Sequence, residues 1–349
     1  MLIYWILFLV PAILALVRPK EKWNKKTSFL LILFFSIIIG LRFKVGEDWG
    51  NYLIAFEKLQ YVKNVFLKKE FLFSILSVIS NNLNFGIYGV NLICGFIFSC
   101  GLIIFCGSLK RQWLALTISI PYIVIVIGMG YTRQSVALGI LMIGLVFLSQ
   151  GKKLIYLLLN IFASLFHLPS IVAVFLLAPY YISSPKFINK ISKIIISFLF
   201  AGTLYLAFVE KFIGQYIRFY ITEYQRSSSG VYIRLFMVVF PSILFLLLGK
   251  NLQLNKNQII IWKSISFYSL SLIPLLIISP SSTIIDRLAL YALPIMIFIL
   301  SNLPELKFAK LRRKYINLSV VLMAFLIQFV WLNYGSTSRG WIPYQNILF

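Results

Sequence analysis

Gly128-Met129-Gly130-Tyr131-Thr132-Arg133-Gln134 opens an apolar run that closes at Ser149-Gln150-Gly151-Lys152-Lys153, and a second apolar run ends at Phe166-His167-Leu168-Pro169-Ser170. An arginine opens the first run, and the chain's only histidine closes the second. Two apolar helices joined by a tight basic turn pack antiparallel. At 1.5 Å per residue, Arg133 stands roughly 25 Å above that turn and His167 roughly 21 Å. Both groups reach similar depth near one face of a membrane, which makes them the candidate site.

Working outward, the composition agrees with a membrane chain. The 349 residues are 60% hydrophobic and only 12% charged, with a mean hydropathy of +0.93. A soluble domain carries about twice that share of charge. The apolar residues fall in repeated runs of about 15–20, the length at which a helix crosses a bilayer. The expected fold is all-α and polytopic, a single transmembrane domain over 1–349. The first run, Leu2 to Val17, has no basic stretch before it and no small-residue cleavage site after it, so it reads as a retained helix.

The net charge of +24 does not point to nucleic acid. The basic residues lie between apolar spans, where positive-inside orientation and anionic membrane lipids account for them. Cys94, Cys100 and Cys106 share one run at sixfold spacing, beside or near Gly95, Gly101 and Gly107. One helix cannot bring that spacing to disulfide geometry, so they read as small packing residues. No Cys/His cluster has zinc spacing, and no phosphate loop, dinucleotide fingerprint or nucleophile elbow is present. No metal and no cofactor is expected.

About twelve spans are expected, near 2–17, 28–41, 87–106, 114–128, 135–149, 154–167, 168–182, 194–209, 235–249, 259–279, 284–303 and 316–334. The run 71–83 is short and broken by Asn81, Asn82 and Asn84, so it reads as a re-entrant or interfacial helix. The loops at 18–26, 107–113, 150–153, 183–193, 250–258 and 304–315 are then cytoplasmic and hold over half of the 33 Lys and Arg. The outer side carries the longer segments 42–70 and 210–234 and the tail from Gly335, and a binding surface belongs with the longer loops.

Arginine and lysine divide unequally across that topology. Arg18, Arg111, Arg312 and Arg313 are inside, while Arg42, Arg133, Arg218, Arg226, Arg234, Arg287 and Arg339 lie outside or at outer helix ends. Positive-inside pressure alone predicts the reverse. The guanidinium fork matches phosphate oxygens bidentately, so the excess fits a phosphate-bearing ligand; headgroup binding or snorkelling explains each arginine taken singly. In the first outer loop, Glu47 and Asp48 are two of only nine acidic residues and lie between Gly46 and Gly50. A carboxylate there can orient a sugar hydroxyl or take its proton, though an ordinary solvated loop has the same composition. His167 is a titratable group at a span end, open equally to a satisfied interhelical role. Asp286-Arg287 starts the eleventh span, with Asp286 also suited to a helix cap. Arg339-Gly340-Trp341-Ile342-Pro343-Tyr344 carries aromatics that stack on a sugar face or, the favoured reading, lie in the interfacial belt.

These residues resemble the EpsG family of bacterial polysaccharide (O-antigen or capsule) polymerases of the Wzy type. The resemblance rests on Arg42…Val45-Gly46-x-Asp48…Tyr52, Glu70, Arg133-Gln134-x-x-Ala137, Phe166-His167-x-Pro169-Ser170, Arg287…Tyr291 and Pro343-Tyr344. One departure is Phe71 after Glu70, where the family often has proline. The resemblance implies a multi-span glycosyltransferase of the bacterial inner membrane, with its site on the outer face. It would join undecaprenyl-pyrophosphate-linked repeat units, with membrane lipids around it and a chain-length regulator as a partner. Arg133, His167, Arg287 and Asp48 would then be catalytic. Arg133 and Arg287 would stabilise the leaving pyrophosphate, and His167, with Asp48 competing, would handle the acceptor hydroxyl. Arg42, Gln134, Arg218, Arg234, Asp286, Tyr291, Arg339 and Tyr344 would bind substrate. An O-antigen ligase differs only in its acceptor. A lipid-linked oligosaccharide flippase would call for a polar central cavity and internal repeats, which the sequence does not display.

Overall fold

The computed structural model describes residues 1–59, 70–182, 228, 230–279, 281–306 and 312–348. Among them the chain is all-helical, with one isolated β-bridge between Arg42 and Asn346. It is a polytopic membrane protein. Five helices are long and apolar enough to cross a bilayer: Gly86–Gly107, Thr132–Ser149, Val231–Asn251, Lys256–Ile278 and Arg313–Tyr334. The span expected at 284–303 is two helices, Ser282–Leu290 and Pro294–Asn302, and counting that broken pair as one span raises the number to six. Leu2–Val17, Gln112–Gly128, Lys153–Phe166 and Leu168–Tyr180 are apolar but shorter, below the roughly 20 residues of a full crossing. The expected span 194–209 lies outside the described residues.

The described chain divides into two compact units, residues 1–171, 250–253 and 296–349, and residues 172–249 and 254–295. The first unit contains α1 (Leu2–Val17), α2 (Lys25–Gly40), α3 (Trp49–Leu59), α4 (Phe71–Asn82), α5 (Gly86–Gly107), α6 (Gln112–Ser119), α7 (Thr132–Ser149) and α8 (Lys153–Phe166). Asn24 starts α2 by accepting a hydrogen bond from the Thr27 backbone at 2.7 Å. The helices α2, α5 and α7 approach closely where glycines face one another. A Cβ on Gly101 would fall 2.0 Å from the Gly139 carbonyl oxygen, and one on Gly40 would fall 2.6 Å from Cα of Leu92. Small residues at such crossings let backbones touch where water supplies no driving force. Cys94 and Cys106 are buried in α5, and all three cysteines are free.

At the centre of this unit, α6 continues as a π-helix over Ile120–Gly128, and every residue of both is buried. Apolar residues on all sides demand such a central position. Pro121 at the junction cannot donate to the α-helical ladder, the local reason for the change of winding. α7 and α8 form the expected hairpin. Gly151 turns the chain at φ +83°, a conformation that favours glycine, and Gly144 lies against the Tyr156 ring.

The second unit contains α9 (Ala178–Ile182), α10 (Val231–Leu248), α11 (Lys256–Ile278) and α12 (Ser282–Leu290), with α10 packed on α11 and α12. Asn255 and Gln258 form a reciprocal capping box that fixes the start of α11. α13 (Pro294–Asn302) begins at the boundary of the units, and α14 (Arg313–Tyr334) packs on α1 and α6 in the first.

Candidate functional site

The corner before α7 decides where Arg133 points. The π-helix ends at Gly128, Tyr131 is extended enough to break the winding, and Arg133 falls in the first turn of α7. Two tethers hold this corner. Gly46 (φ +105°) lies so close that a Cβ would be 2.6 Å from the Met129 carbonyl oxygen. From the other side the Trp341 indole presses on Gly130 and donates Nε1–H to the Ile125 carbonyl at 2.8 Å.

The Arg133 side chain leaves this corner between two aromatic rings, its Cζ 5.1 Å from the centre of Tyr52 on α3 and 5.6 Å from that of Phe73 on α4. Its Nη1 donates to Oε2 of Glu70, the residue immediately before α4. The other carboxylate oxygen, Oε1, lies 4.0 Å from Nε2 of His167, the residue immediately after α8. One carboxylate thus faces both residues of the opening stretch. Their exposures differ: the Arg133 side chain is 39% exposed, Glu70 17% and His167 4%. Tyr52 completes the cluster by accepting from the Arg133 backbone N–H at 3.3 Å. Burial pushes the Tyr52 phenol above its usual range, against the opposing pull of Arg133. A half-open guanidinium at the positive end of an 18-residue helix is chemically suited to an anion.

A family model described as the EpsG family matches residues 25–346. The chain belongs to the EpsG family. This places it among multi-pass membrane proteins of polysaccharide biosynthesis. No curated protein and no solved structure matches the chain. The family stretch runs from the first residue of α2 to Asn346, the residue bridged to Arg42, so it contains the whole cluster.

In this EpsG-family chain the other expected residues fall in different places. Arg42 is 1% exposed. Its guanidinium donates to the carbonyls of Ile39 at 2.6 Å and Val45 at 3.3 Å and to Thr132 Oγ1 at 2.7 Å, and Thr132 in turn donates to Asn91. These bonds tie the loop after α2 to α7 and engage the guanidinium within the protein. Asp48 precedes α3 and accepts from Asn51 at 3.3 Å, one turn from Tyr52, and is partly exposed. Beside it, burial and the Asp48 charge push the Glu47 carboxyl above its usual range. Gln134 is buried next to Arg133. Arg339 is exposed on a single 3-10 turn. Tyr344 donates to the Ile38 carbonyl at 2.8 Å and accepts from Asn346 at 2.9 Å, so its hydroxyl is committed within the protein. Trp341 is 0% exposed and not in an interfacial belt, a correction that follows from its indole filling the gap left by Gly130.

In the second unit, Arg234 and Asp286 form a buried ion pair at 2.8 Å. Ser228 Oγ adds a hydrogen bond to Asp286 at 3.1 Å, and Arg234 also reaches the Asp286 carbonyl. Asp286 therefore neutralises Arg234 inside the helix pair and lies in the middle of α12, away from its cap position. Arg287 is partly exposed on the same helix, and Tyr291 is buried at its C-terminal end. Arg218 lies outside the described residues.

Glu70 and Tyr52 stand in the sequence resemblance, but the chain alone gave neither a place in the site. The available signal for Glu70 was its rarity, one of nine acids, set directly before an apolar helix. Among the described residues no three His, Cys, Asp or Glu are grouped to hold a metal ion.

Proposed function

We propose that this chain is a polysaccharide polymerase that joins undecaprenyl-pyrophosphate-linked oligosaccharide repeats at the outer face of the bacterial inner membrane. The donor is the growing glycan on its lipid pyrophosphate, and the acceptor is a sugar hydroxyl of one lipid-linked repeat. The acceptor oxygen bonds to the anomeric carbon as the bond to pyrophosphate breaks, and the departing pyrophosphate gains negative charge. The observation that carries this reading is the Arg133 side chain, 39% exposed at a helix N-terminus, with its guanidinium fixed between the Tyr52 and Phe73 rings.

Donors held in place before charge develops stabilise it without reorganisation. The aromatic walls and the Tyr52 hydroxyl hold Arg133 in this way, and its guanidinium fork suits pyrophosphate oxygens. His167, nearly buried at the end of α8, orients the acceptor side of the site. Arg287, partly exposed on α12, and Arg339, exposed in the tail, stay in this reading as further arginines.

The test is polymer length on gels from cells carrying point variants at wild-type protein level, with lipid-linked repeat as the sole substrate in a purified assay. Arg133→Ala should leave single repeats, and Arg133→Lys should fail nearly as badly because an ammonium has no fork. Wild-type polymer from both Arg133→Ala and His167→Ala would defeat the assignment. A need for a second, non-lipid acceptor would make the chain a ligase.

A further inference from the structure

We infer that Glu70 is the general base of the transfer and that donor binding uncovers it, an inference that rests on the polymerase reading above. Two geometric facts carry it. Glu70 divides its carboxylate, with Oε2 on Arg133 and Oε1 facing Nε2 of His167 at 4.0 Å. That gap is too long for a direct hydrogen bond, but an oxygen set to one side of the line lies within hydrogen-bond reach of both groups. An acceptor hydroxyl placed there donates its proton toward Oε1 and is oriented by the imidazole. Asp48, the competing carboxylate, is engaged instead at the start of α3 with Asn51.

The second fact is that the same guanidinium is the anchor of Glu70 and the open cation of the site. A pyrophosphate carries more charge than a carboxylate and matches the guanidinium fork through several oxygens. It therefore displaces Oε2 when it arrives. Glu70, freed from its cation, keeps one strong partner in reach, the acceptor hydroxyl between it and His167. The step balances: the hydroxyl oxygen bonds to the anomeric carbon, its proton passes to Glu70, and the carbon–oxygen bond to pyrophosphate breaks with its electron pair on the Arg133-bound leaving group. Coupling follows from the geometry, because the pyrophosphate that will leave is also the group that takes Arg133 away from Glu70 Oε2.

The experiment is steady-state elongation of a purified lipid-pyrophosphate-linked repeat in proteoliposomes, with polyprenyl pyrophosphate binding measured on the same preparations. For E70Q, turnover is expected to fall on the order of 10²–10⁴-fold, the usual effect of losing a positioned base. The KM for donor and the affinity for polyprenyl pyrophosphate should stay level or improve, because the competing carboxylate is gone. E70D keeps the carboxylate but withdraws it, so it should show the same split with a smaller loss. The exchanged pair E70R/R133E restores the ion pair and should remain inactive. If Glu70 only supports Arg133, E70Q instead loses donor affinity and the exchanged pair recovers activity; either result overturns the inference. E70Q or E70D turning over within threefold of wild type overturns it as well. Failure of the wild-type protein to elongate the repeat at all would defeat the polymerase reading, a separate outcome.

Discussion

A methyl group on Gly130 tests how the Arg133 corner is held. An ideal Cβ there falls 2.4 Å from Cζ2 of Trp341 and 3.1 Å from Cη2. Comfortable carbon contacts lie near 3.5–4.0 Å, so in Gly130→Ala the indole or the backbone must retreat by about 1 Å. The indole has little room to do so, since it is fully buried, its Nε1–H is held by Ile125, and its own carbonyl accepts from Tyr4 at 2.6 Å. Overpacking without slack costs about 1–3 kcal/mol. Trp341→Phe deletes the ring atoms that collide but leaves the Ile125 carbonyl without its indole donor, a loss of about 1–3 kcal/mol. Combined, the smaller ring makes space for the new methyl. The double variant should therefore lose less than the sum of the two singles, by about 0.5–3 kcal/mol. Unfolding of the four purified proteins in one detergent measures this directly. Strict additivity would refute the contact, and with it the view that the tail fixes the corner.

Three further outcomes follow from packing. Gly101→Ala forces α5 and α7 apart against the Gly139 carbonyl and should lower the unfolding midpoint sharply, by about 1–3 kcal/mol or more; Gly107→Ala, with its nearest neighbour 3.8 Å away, should leave it unchanged or raised. Arg111 and Glu305 form a buried pair at 2.8 Å, so Arg111→Met alone should cost about 3–5 kcal/mol in chemical denaturation, while R111M/E305M together should recover much of that loss. Arg42→Lys cannot supply three directed donors to Ile39, Val45 and Thr132, so it should lose about 1–3 kcal/mol of stability while the donor KM stays constant; a raised KM at unchanged stability would return Arg42 to the ligand site.

The helices were legible because apolar runs bounded by polar turns leave a membrane chain few choices, and 87–106 and 135–149 became α5 and α7 within a few residues. Their lengths were less so. The expected span 284–303 breaks where Tyr291-Ala292-Leu293 carries no polar signal, with only Pro294 to mark it. The π-helix over Ile120–Gly128 is likewise announced only by Pro121. Of the candidate site, Arg133 and His167 are legible because a cation and an imidazole stand out at the ends of apolar helices. Glu70 was harder, since its partners lie 63 and 97 positions away in the chain and no local spacing relates them. The tail misled for a physical reason: Trp and Tyr satisfy an interfacial belt and a buried hydrogen bond equally well, and only Gly130, far upstream, makes the space that Trp341 fills.

The arginine excess expected at one membrane face shows why counting residues is a weaker guide than following their donors. A guanidinium near a membrane face can bind a ligand or satisfy the backbone groups of a helix end, and composition alone is the same in both cases. Arg42 spends its donors on two carbonyls and a threonine, and Arg234 spends its charge on Asp286; each is buried, and each fixes one helix against another. Arg133 differs in keeping more than a third of its side chain open and in meeting a carboxylate that a stronger anion can replace. The structural arginines are still relevant to the site. Arg42 binds Thr132, the residue immediately before Arg133, and Asn346 of the tail bridges back to Arg42. Loop, tail and π-helix therefore converge on one turn of α7. Rigid support of this kind is what an arginine needs if it is to meet a leaving group with no rearrangement of its own.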